Sequence, residues 1–252
     1  MKTKKTALIT GATSGIGNAT AILFAEQGIR LILCGRRQER LEMLASELSK
    51  KTEIYTLCFD VRNQEKVIEN IQSLPEAFSK IDILINNAGN AHGLDPIQTG
   101  NLEDWNAMID INVKGLLYVT HAVLPGMIER QSGHIINIGS TAGKEVYPNG
   151  NVYCASKHAV DALNQGMRID LNGKGIRVGA VNPGMVETEF SEVRFKGDTK
   201  RATKVYQGFT PLKPEDIADI IWFAITRPPH VNIADLTVMA LDQASSTIVN
   251  RQ

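Results

Sequence analysis

Thr10-Gly11-Ala12-Thr13-Ser14-Gly15-Ile16-Gly17 follows the apolar run Ala7-Leu8-Ile9 and leads into a stretch of helical character over 15–28. Apolar run, glycine-rich turn and helix, in that order, begin a strand–helix–strand crossover. Glycine lets a backbone turn tightly and approach an anion closely. A helix start adds N–H groups that no helical carbonyl satisfies. The stretch predicts a turn that cradles a pyrophosphate, with Gly11, Thr13, Ser14, Gly15, Ile16 and Gly17 around it. Three glycines alone could be only a tight turn; the strand before and the helix after make the difference.

The alternation continues outward. Leu31-Ile32-Leu33-Cys34, residues 54–59, 81–85, 134–138 and 176–181, and Leu236-Thr237-Val238-Met239 read as strands. Helical patterns occupy 38–50, 63–74, about 104–130, 151–172 and 214–226, with Leu41, Leu44, Ala45 and Leu48 forming one stripe. Strands apolar on both faces, alternating with helices, imply a parallel sheet covered on both sides. No linker rich in Pro, Gly or Ser divides the chain and no repeat is visible. The expectation is an α/β chain, doubly wound, with one domain over 1–252.

Such sheets bind ligands outside the carboxyl ends of their strands. After the second predicted strand come Gly35-Arg36-Arg37, after the third Asp60-Val61, and after the fourth Asn86-Asn87-Ala88-Gly89. The fifth is followed by Gly139-Ser140 and the sixth by Asn182-Pro183-Gly184. Polar and glycine-containing groups thus converge on one sheet edge.

Composition narrows the function. Lys plus Arg number 27 and so do Asp plus Glu, giving a formal net charge of zero. A nucleic-acid partner would call for a basic excess or stripe, so none is expected. The three cysteines, Cys34, Cys58 and Cys154, have no metal-ligand spacing. Cys34 and Cys58 are expected to pack as small apolar groups at strand ends, and all three to be reduced, as in the cytoplasm. Met1-Lys2-Thr3-Lys4-Lys5 runs straight into a strand too short for a signal peptide. No apolar run is expected to approach membrane-spanning length. The five histidines, His92, His121, His134, His158 and His230, show no ligand spacing, and no metal is inferred. His92 could touch substrate or simply be exposed.

The spacing Gly11-x-x-x-Gly15-x-Gly17, with Asn86-Asn87-Ala88-Gly89 further on, resembles the short-chain dehydrogenase/reductase family. The resemblance covers nearly the whole chain. It implies a Rossmann fold with a mostly seven-stranded sheet, a cofactor half of about 1–140, a catalytic and substrate half of about 141–252, and a lid of about 187–212. It implies that Asp60, beside Val61, contacts the adenine ring, and that Asn87, Ala88 and Gly89 border the cofactor. Pro183, Gly184, Val186 and Thr188 match the segment that fixes the nicotinamide carboxamide.

The end of the second strand selects the cofactor. An acid there would bond a ribose 2′-hydroxyl, whereas Arg36 and Arg37 suit a 2′-phosphate through charge-assisted, bidentate bonds. A solvated basic pair is the plainer reading, but cations are disfavoured at a helix start unless an anion joins them. The expected cofactor is NADP(H).

Tyr153 and Lys157 are four apart on a predicted helix and share a face. By itself that pair is an ordinary helix surface. With Ser140 before the helix and Asn112 in the preceding one, it matches the family's Asn–Ser–Tyr–Lys tetrad. Carbonyl reduction needs hydride from the nicotinamide and a proton for the developing alkoxide. A free tyrosine, with a pKa of about 10, exchanges protons poorly near neutrality, and a neighbouring ammonium lowers it. Tyr153 is thus expected as general acid and base, and Lys157 as the group that lowers its pKa and grips the nicotinamide ribose. Ser140 orients the carbonyl, and Asn112 holds a proton-relay water.

The lid, Glu189-Phe190-Ser191-Glu192-Val193-Arg194-Phe195-Lys196-Gly197-Asp198, and the tail Pro229-His230-Val231-Asn232-Ile233 resemble the NADP-dependent 3-hydroxy acid dehydrogenases. That subgroup acts on serine, L-allo-threonine and related acids, reduces malonic semialdehyde, and is typically a homotetramer. Arg194 and Lys196 could bind a substrate carboxylate beside Ser140 and Tyr153, or be solvated lid charges. A 3-oxoacyl thioester or other carbonyl reductase, and a non-catalytic NADP(H) sensor, remain as alternatives.

Overall fold

The computed structural model describes residues 4–252; Met1, Lys2 and Thr3 of the N-terminal reading lie outside the described residues. Seven parallel strands form one sheet in the order β3-β2-β1-β4-β5-β6-β7. They are β1 (Thr6–Thr10), β2 (Arg30–Gly35), β3 (Ile54–Cys58), β4 (Ile83–Asn86), β5 (Gly133–Ile138), β6 (Ile176–Pro183) and β7 (Asp235–Val238). The order reverses between β1 and β4, which opens a crevice at their carboxyl ends.

Strand alternation sends successive side chains to opposite faces. Ala7 and Ile9 of β1, Leu31 and Leu33 of β2, and Ile83 and Ile85 of β4 join one core. Leu8, Ile32 and Leu84, paired across the same strands, join the other. The first face is covered by α1 (Gly15–Glu26), α2 (Gln38–Leu48) and α10 (Pro214–Ile225), through Phe24, Leu41, Ile217 and Ile221. The second is covered by α3 (Gln64–Gln72) and α6 (Leu116–Glu129), through Val67, Ile71, Val119, Val123 and Met127. The remaining elements are α4 (Glu76–Ser79), α5 (Leu102–Ile109), α7 (Asn151–Asp170), α8 (Phe190–Arg194) and α9 (Thr199–Lys204).

Three features depart from the sequence reading. The helix expected over 104–130 is interrupted by a π turn, Asp110–Gly115, which separates α5 from α6. The 28-residue run Leu102–Glu129 also contains an 18-residue stretch with a mean hydropathy of 1.2, long and apolar enough by composition to cross a membrane. In the fold it is a core element, apolar because Val119, Val123 and Met127 pack under the sheet. Cys58, expected to be packed, is exposed: β3 is the sheet edge, and its neighbours Leu57 and Phe59 take the inward positions.

Buried polar side chains tie the centre together. The Asn86 amide donates to Asn137 Oδ1 and Thr120 Oγ1, both at 2.9 Å, and the Asn137 amide donates to Asn164 Oδ1 at 3.1 Å. This chain joins β4, β5, α6 and α7. At the switch point the Asn87 amide donates to the Thr10 carbonyl at 2.9 Å, and the Asn87 main-chain N–H donates to Thr10 Oγ1 at 3.0 Å. Each bond satisfies a group whose burial unpaired would be costly.

Candidate active site

A cleft of about 740 Å³ opens along the carboxyl ends of the strands. That size suits a small-molecule or cofactor site. It is lined by Gly11, Thr13, Ser14, Gly15, Ile16, Arg36, Arg37, Asp60, Val61, Asn87, Ala88 and Gly89, then by Ser140, Tyr153, Lys157, Pro183, Gly184, Val186, Thr188 and Arg194. Residues from six strand ends, far apart in sequence, therefore face one space.

Gly11 and Gly15 both hold positive φ, 66° and 52°, a region L side chains avoid. Gly17 does not line the cleft. It packs behind the loop, where a Cβ would overlap the Gly11 carbonyl and the Asn87 amide. It shapes the turn from beneath. Among the described residues, the loop is roofed by Thr188, whose Cγ2 lies 3.2 Å from where a Gly15 Cβ would be.

The two arginines differ. Arg37 is laid across the glycine loop: it donates to Thr13 Oγ1 from Nε at 3.2 Å, to Ser14 Oγ from Nη2 at 2.9 Å, and to Glu189 Oε2 from Nη1 at 2.9 Å. Arg36 is 55% exposed and, among the described residues, pairs with Asp60 at 3.6 Å. Asp60 is gripped by Arg62, whose Nη2 donates at 2.6 Å. Burial opposes ionisation of Asp60, but Arg62 and Arg36 outweigh it and hold the carboxyl below its usual range.

Tyr153 and Lys157 rise from one face of α7, both buried. The Lys157 ammonium donates to the Ile138 carbonyl at 2.9 Å, and burial pushes its pKa down to about 8. Burial pushes the Tyr153 phenol up, Tyr147 adds to the rise, and the Ser140 hydrogen bond and Arg194 pull the other way. The lowering anticipated from Lys157 is not among the effects on this phenol: desolvation dominates, and the opposing pull comes from Ser140 and Arg194. Ser140 itself is fixed as the cap of the short 3-10 turn Thr141–Gly143, accepting from the Ala142 N–H at 3.1 Å.

Asn112 lies in the π turn, buried behind the cleft rather than lining it. Its amide donates to the Asn90 carbonyl at 2.8 Å and to Ser156 Oγ at 3.0 Å, and its Oδ1 accepts from the Asn90 N–H at 2.9 Å. Ser156 in turn donates to the Tyr153 carbonyl at 2.7 Å. The π turn places this amide against the backbone of Asn90, where π bulges often serve function.

The lid leaves the sheet at Val186 and returns at Leu212, where the Glu187 N–H donates to the Leu212 carbonyl at 2.8 Å and the Leu212 N–H to the Met185 carbonyl at 3.0 Å. Within it Arg194 turns into the cleft. Its guanidinium carbon is 5.5 Å from the ring centres of both Tyr147 and Tyr153. It donates to Tyr147 Oη at 3.0 Å and to the Gly93 carbonyl at 3.2 Å, while Nη2 is buried without a partner among the described residues. Lys196 points away and pairs with Asp104 at 2.9 Å, so only Arg194 of the two faces the cleft. His92 is half-buried behind the cleft; burial lowers its pKa and Asp104 works against that.

Several cleft residues carried no sequence signal. Tyr147 packs its ring where Gly150 has no side chain, and Asn90, Phe190, Tyr206 and the tail residues Ser246, Thr247 and Arg251 also line the space. Tyr147 and Asn90 border motifs that were legible, but no spacing rule marks them.

The profile described as short chain dehydrogenase matches residues 5–199. The NADP-dependent 3-hydroxy acid dehydrogenase YdfG of Escherichia coli strain K12 is 49% identical over 247 residues, 97% of this chain and 99% of that protein. Sulfoacetaldehyde reductase 2 of Chromohalobacter salexigens is 50% identical over 240 residues, 95% of each chain. The closed form of serine dehydrogenase complexed with NADP+ superposes with a TM-score of 0.92 at 48% identity, covering 98% of this chain and 100% of that one. A profile match over most of the length, and relatives half identical almost from end to end, place this chain in the short-chain dehydrogenase family.

Proposed function

We propose that this chain is an NADP(H)-dependent oxidoreductase that interconverts an alcohol and a carbonyl on small 3-hydroxy acids: serine, allo-threonine and the 3-hydroxypropionate/malonic semialdehyde pair. Arg194 carries the substrate reading. A buried guanidinium nitrogen without an acceptor is unfavourable, and a carboxylate satisfies it with a charge-assisted bond. In a 3-hydroxy acid a single carbon separates the carboxylate from the carbinol carbon. One small molecule can then meet Arg194 with its acid and Ser140 and Tyr153 with its oxygen.

The residues at hand suit the cofactor. The positive-φ loop brings backbone close to a pyrophosphate, Arg36 and Arg37 supply cations for a 2′-phosphate, and Asp60 and Val61 border the adenine end. Asn87, Ala88, Gly89, Pro183, Gly184, Val186 and Thr188 would border the rest, with Thr188 on the carboxamide. When bound, NADP(H) supplies hydride to the substrate carbon or takes it.

Tyr153 gives its phenolic proton to the substrate oxygen in reduction and removes it in oxidation. Ser140 holds that oxygen beside it. Lys157 grips the nicotinamide ribose and favours the phenolate, against the desolvation that raises the phenol. Asn112 holds the relay water; its amide hydrogens are already engaged, so it does so through an oxygen. We assign about 1–140 to cofactor binding, about 141–252 to catalysis and substrate, with 187–212 as the lid, in a cytoplasmic homotetramer.

The relative's substrate suggests a second reading. Sulfoacetaldehyde, like malonic semialdehyde, has one carbon between its anion and its aldehyde, and Arg194 can serve a sulfonate as well as a carboxylate. NADPH formation or loss, followed with serine, allo-threonine, 3-hydroxypropionate, sulfoacetaldehyde and an acetoacetyl thioester, decides. Turnover of the hydroxy acids is expected; turnover of the thioester alone would refute the assignment, and turnover of sulfoacetaldehyde alone would select the second reading.

A further inference from the structure

Glu189 follows Thr188 and begins the lid, yet its carboxylate reaches the other half of the sheet. Oε2 accepts from Arg37 at 2.9 Å and Oε1 from Arg40 at 2.6 Å. Arg37 ends the turn after β2, and Arg40 lies in the first turn and a half of α2. Glu189 follows β6. In the sheet β2 and β6 are separated by β1, β4 and β5. The ion pair therefore bridges the crevice from one side of the switch point to the other. It crosses at the glycine loop, where Arg37 also bonds Thr13 and Ser14.

We propose that Glu189 is a strap over the bound dinucleotide: its carboxylate, held by Arg37 and Arg40, closes the cleft above the glycine loop, and the cofactor leaves only after this ion pair opens. The proposal rests on reading the cleft as the NADP(H) site. Three observations carry it. Thr188 overhangs the loop, its Cγ2 3.2 Å from where a Gly15 Cβ would be, so the lid lies close over the loop next to the strap. Arg37 and Glu189 line the cleft, whereas Arg40 does not. The three side chains are 40–47% exposed, where ion pairs add little to fold stability and open readily. Burial works against ionisation of Glu189, but the two arginines outweigh it and keep the carboxylate charged.

A strap and a direct phosphate contact make different demands. A residue that reads the 2′-phosphate affects NADPH and leaves NADH alone. A strap lies over the part the two cofactors share, so it slows release of both. A carboxylate that merely competes with the phosphate for Arg37 would weaken NADPH binding, and its removal would tighten it.

The test is stopped-flow release of NADPH and of NADH, read by nucleotide fluorescence, for the wild type, Glu189→Gln and Arg40→Gln. Both variants should release both cofactors faster, by roughly three- to tenfold, the scale of one or two partly exposed ion pairs. The double variant should be no faster than Glu189→Gln, because the two changes break one device. Raising salt should speed wild-type release by a larger factor than it speeds release from Glu189→Gln, which keeps only the cofactor's own charge contacts. Unchanged release in Glu189→Gln, or tighter NADPH binding with NADH unaffected, would overturn the strap. So would an Arg40→Gln effect that adds in full to that of Glu189→Gln. Failure of wild-type protein to bind NADPH would overturn the cofactor reading and the strap with it. Melting temperatures close to wild type keep misfolding out of the comparison.

Discussion

The Arg194 guanidinium lies over the Tyr153 ring, 5.5 Å from its centre, so the acid–base group and a half-buried cation share one wall of the cleft. The cation both opposes the burial-driven rise of the phenol and offers an anion site within one small molecule's reach. Changing Arg194 to Met keeps the apolar stem and removes the charge. kcat/KM for serine and 3-hydroxypropionate should fall roughly 10- to 100-fold, the scale of one charged hydrogen bond, while a small neutral aldehyde is reduced nearly as before. Equal losses on charged and neutral substrates would show that Arg194 acts on folding or on Tyr153 instead.

Removing the Tyr153 hydroxyl leaves ring packing against Phe190 in place. Tyr153→Phe should cut kcat by roughly 10²- to 10⁴-fold, the usual range for positioned proton transfer. NADPH binding, followed by fluorescence titration, should stay within a few-fold of wild type. Near-normal turnover in this variant would end the proposed mechanism.

Arg36 and Arg37 should separate in their effects. Arg36 is held only by a long, exposed ion pair with Asp60, so Arg36→Ala should raise the NADPH KM roughly tenfold or more and leave NADH little changed. Arg37 also braces Thr13 and Ser14, so Arg37→Ala should weaken both cofactors. Steady-state constants with each cofactor make the comparison; an NADPH preference that survives both changes refutes the 2′-phosphate assignment.

His134 gives the fold an acid limit. It is buried in β5, neither ring nitrogen has a partner among the described residues, and burial, with Arg177 and Lys5 adding to it, lowers its pKa from 6.5 to about 3. Between those values the unfolded chain binds the proton and the folded one does not, so stability falls as pH drops from 6.5 toward 3. The loss should approach roughly 1.4 kcal/mol per pH unit inside that window. Urea melts at pH 7.5 and pH 5 should show His134→Leu losing less stability than wild type; parallel losses would place the acid sensitivity elsewhere.

Gly17→Ala should weaken the protein by roughly 1–3 kcal/mol, because the new methyl meets the Gly11 carbonyl and overpacked sites cost that much. Its NADPH affinity should fall as well, since the loop is what must shift. Thermal melts with and without NADPH measure both effects.

The strands were legible because a sheet buried on both faces demands unbroken apolar runs, and Leu8, Ile32 and Leu84 deliver opposite faces in turn. The strand ends were legible because glycine and paired asparagines have few other uses there. What stayed hidden was contact without periodicity. The lid helices α8 and α9 are five and six residues long, too short for a stripe. Tyr147 reaches the cleft only because Gly150 leaves room for its ring. The Arg37–Glu189 bond joins residues 152 positions apart, which no local pattern encodes.

The π turn at Asp110–Gly115 acts as an expansion joint. Its wider i→i+5 turn takes up an extra residue locally, so the helix beyond it keeps its face. Helices α5 and α6 serve two cores from one rod: Met108 packs on the Tyr153 side of the fold and Val119 on the underside of the sheet. What the joint adds is Asn112 itself, pushed out against the backbone of Asn90; the helix carries both cores, and the surplus residue carries the chemistry.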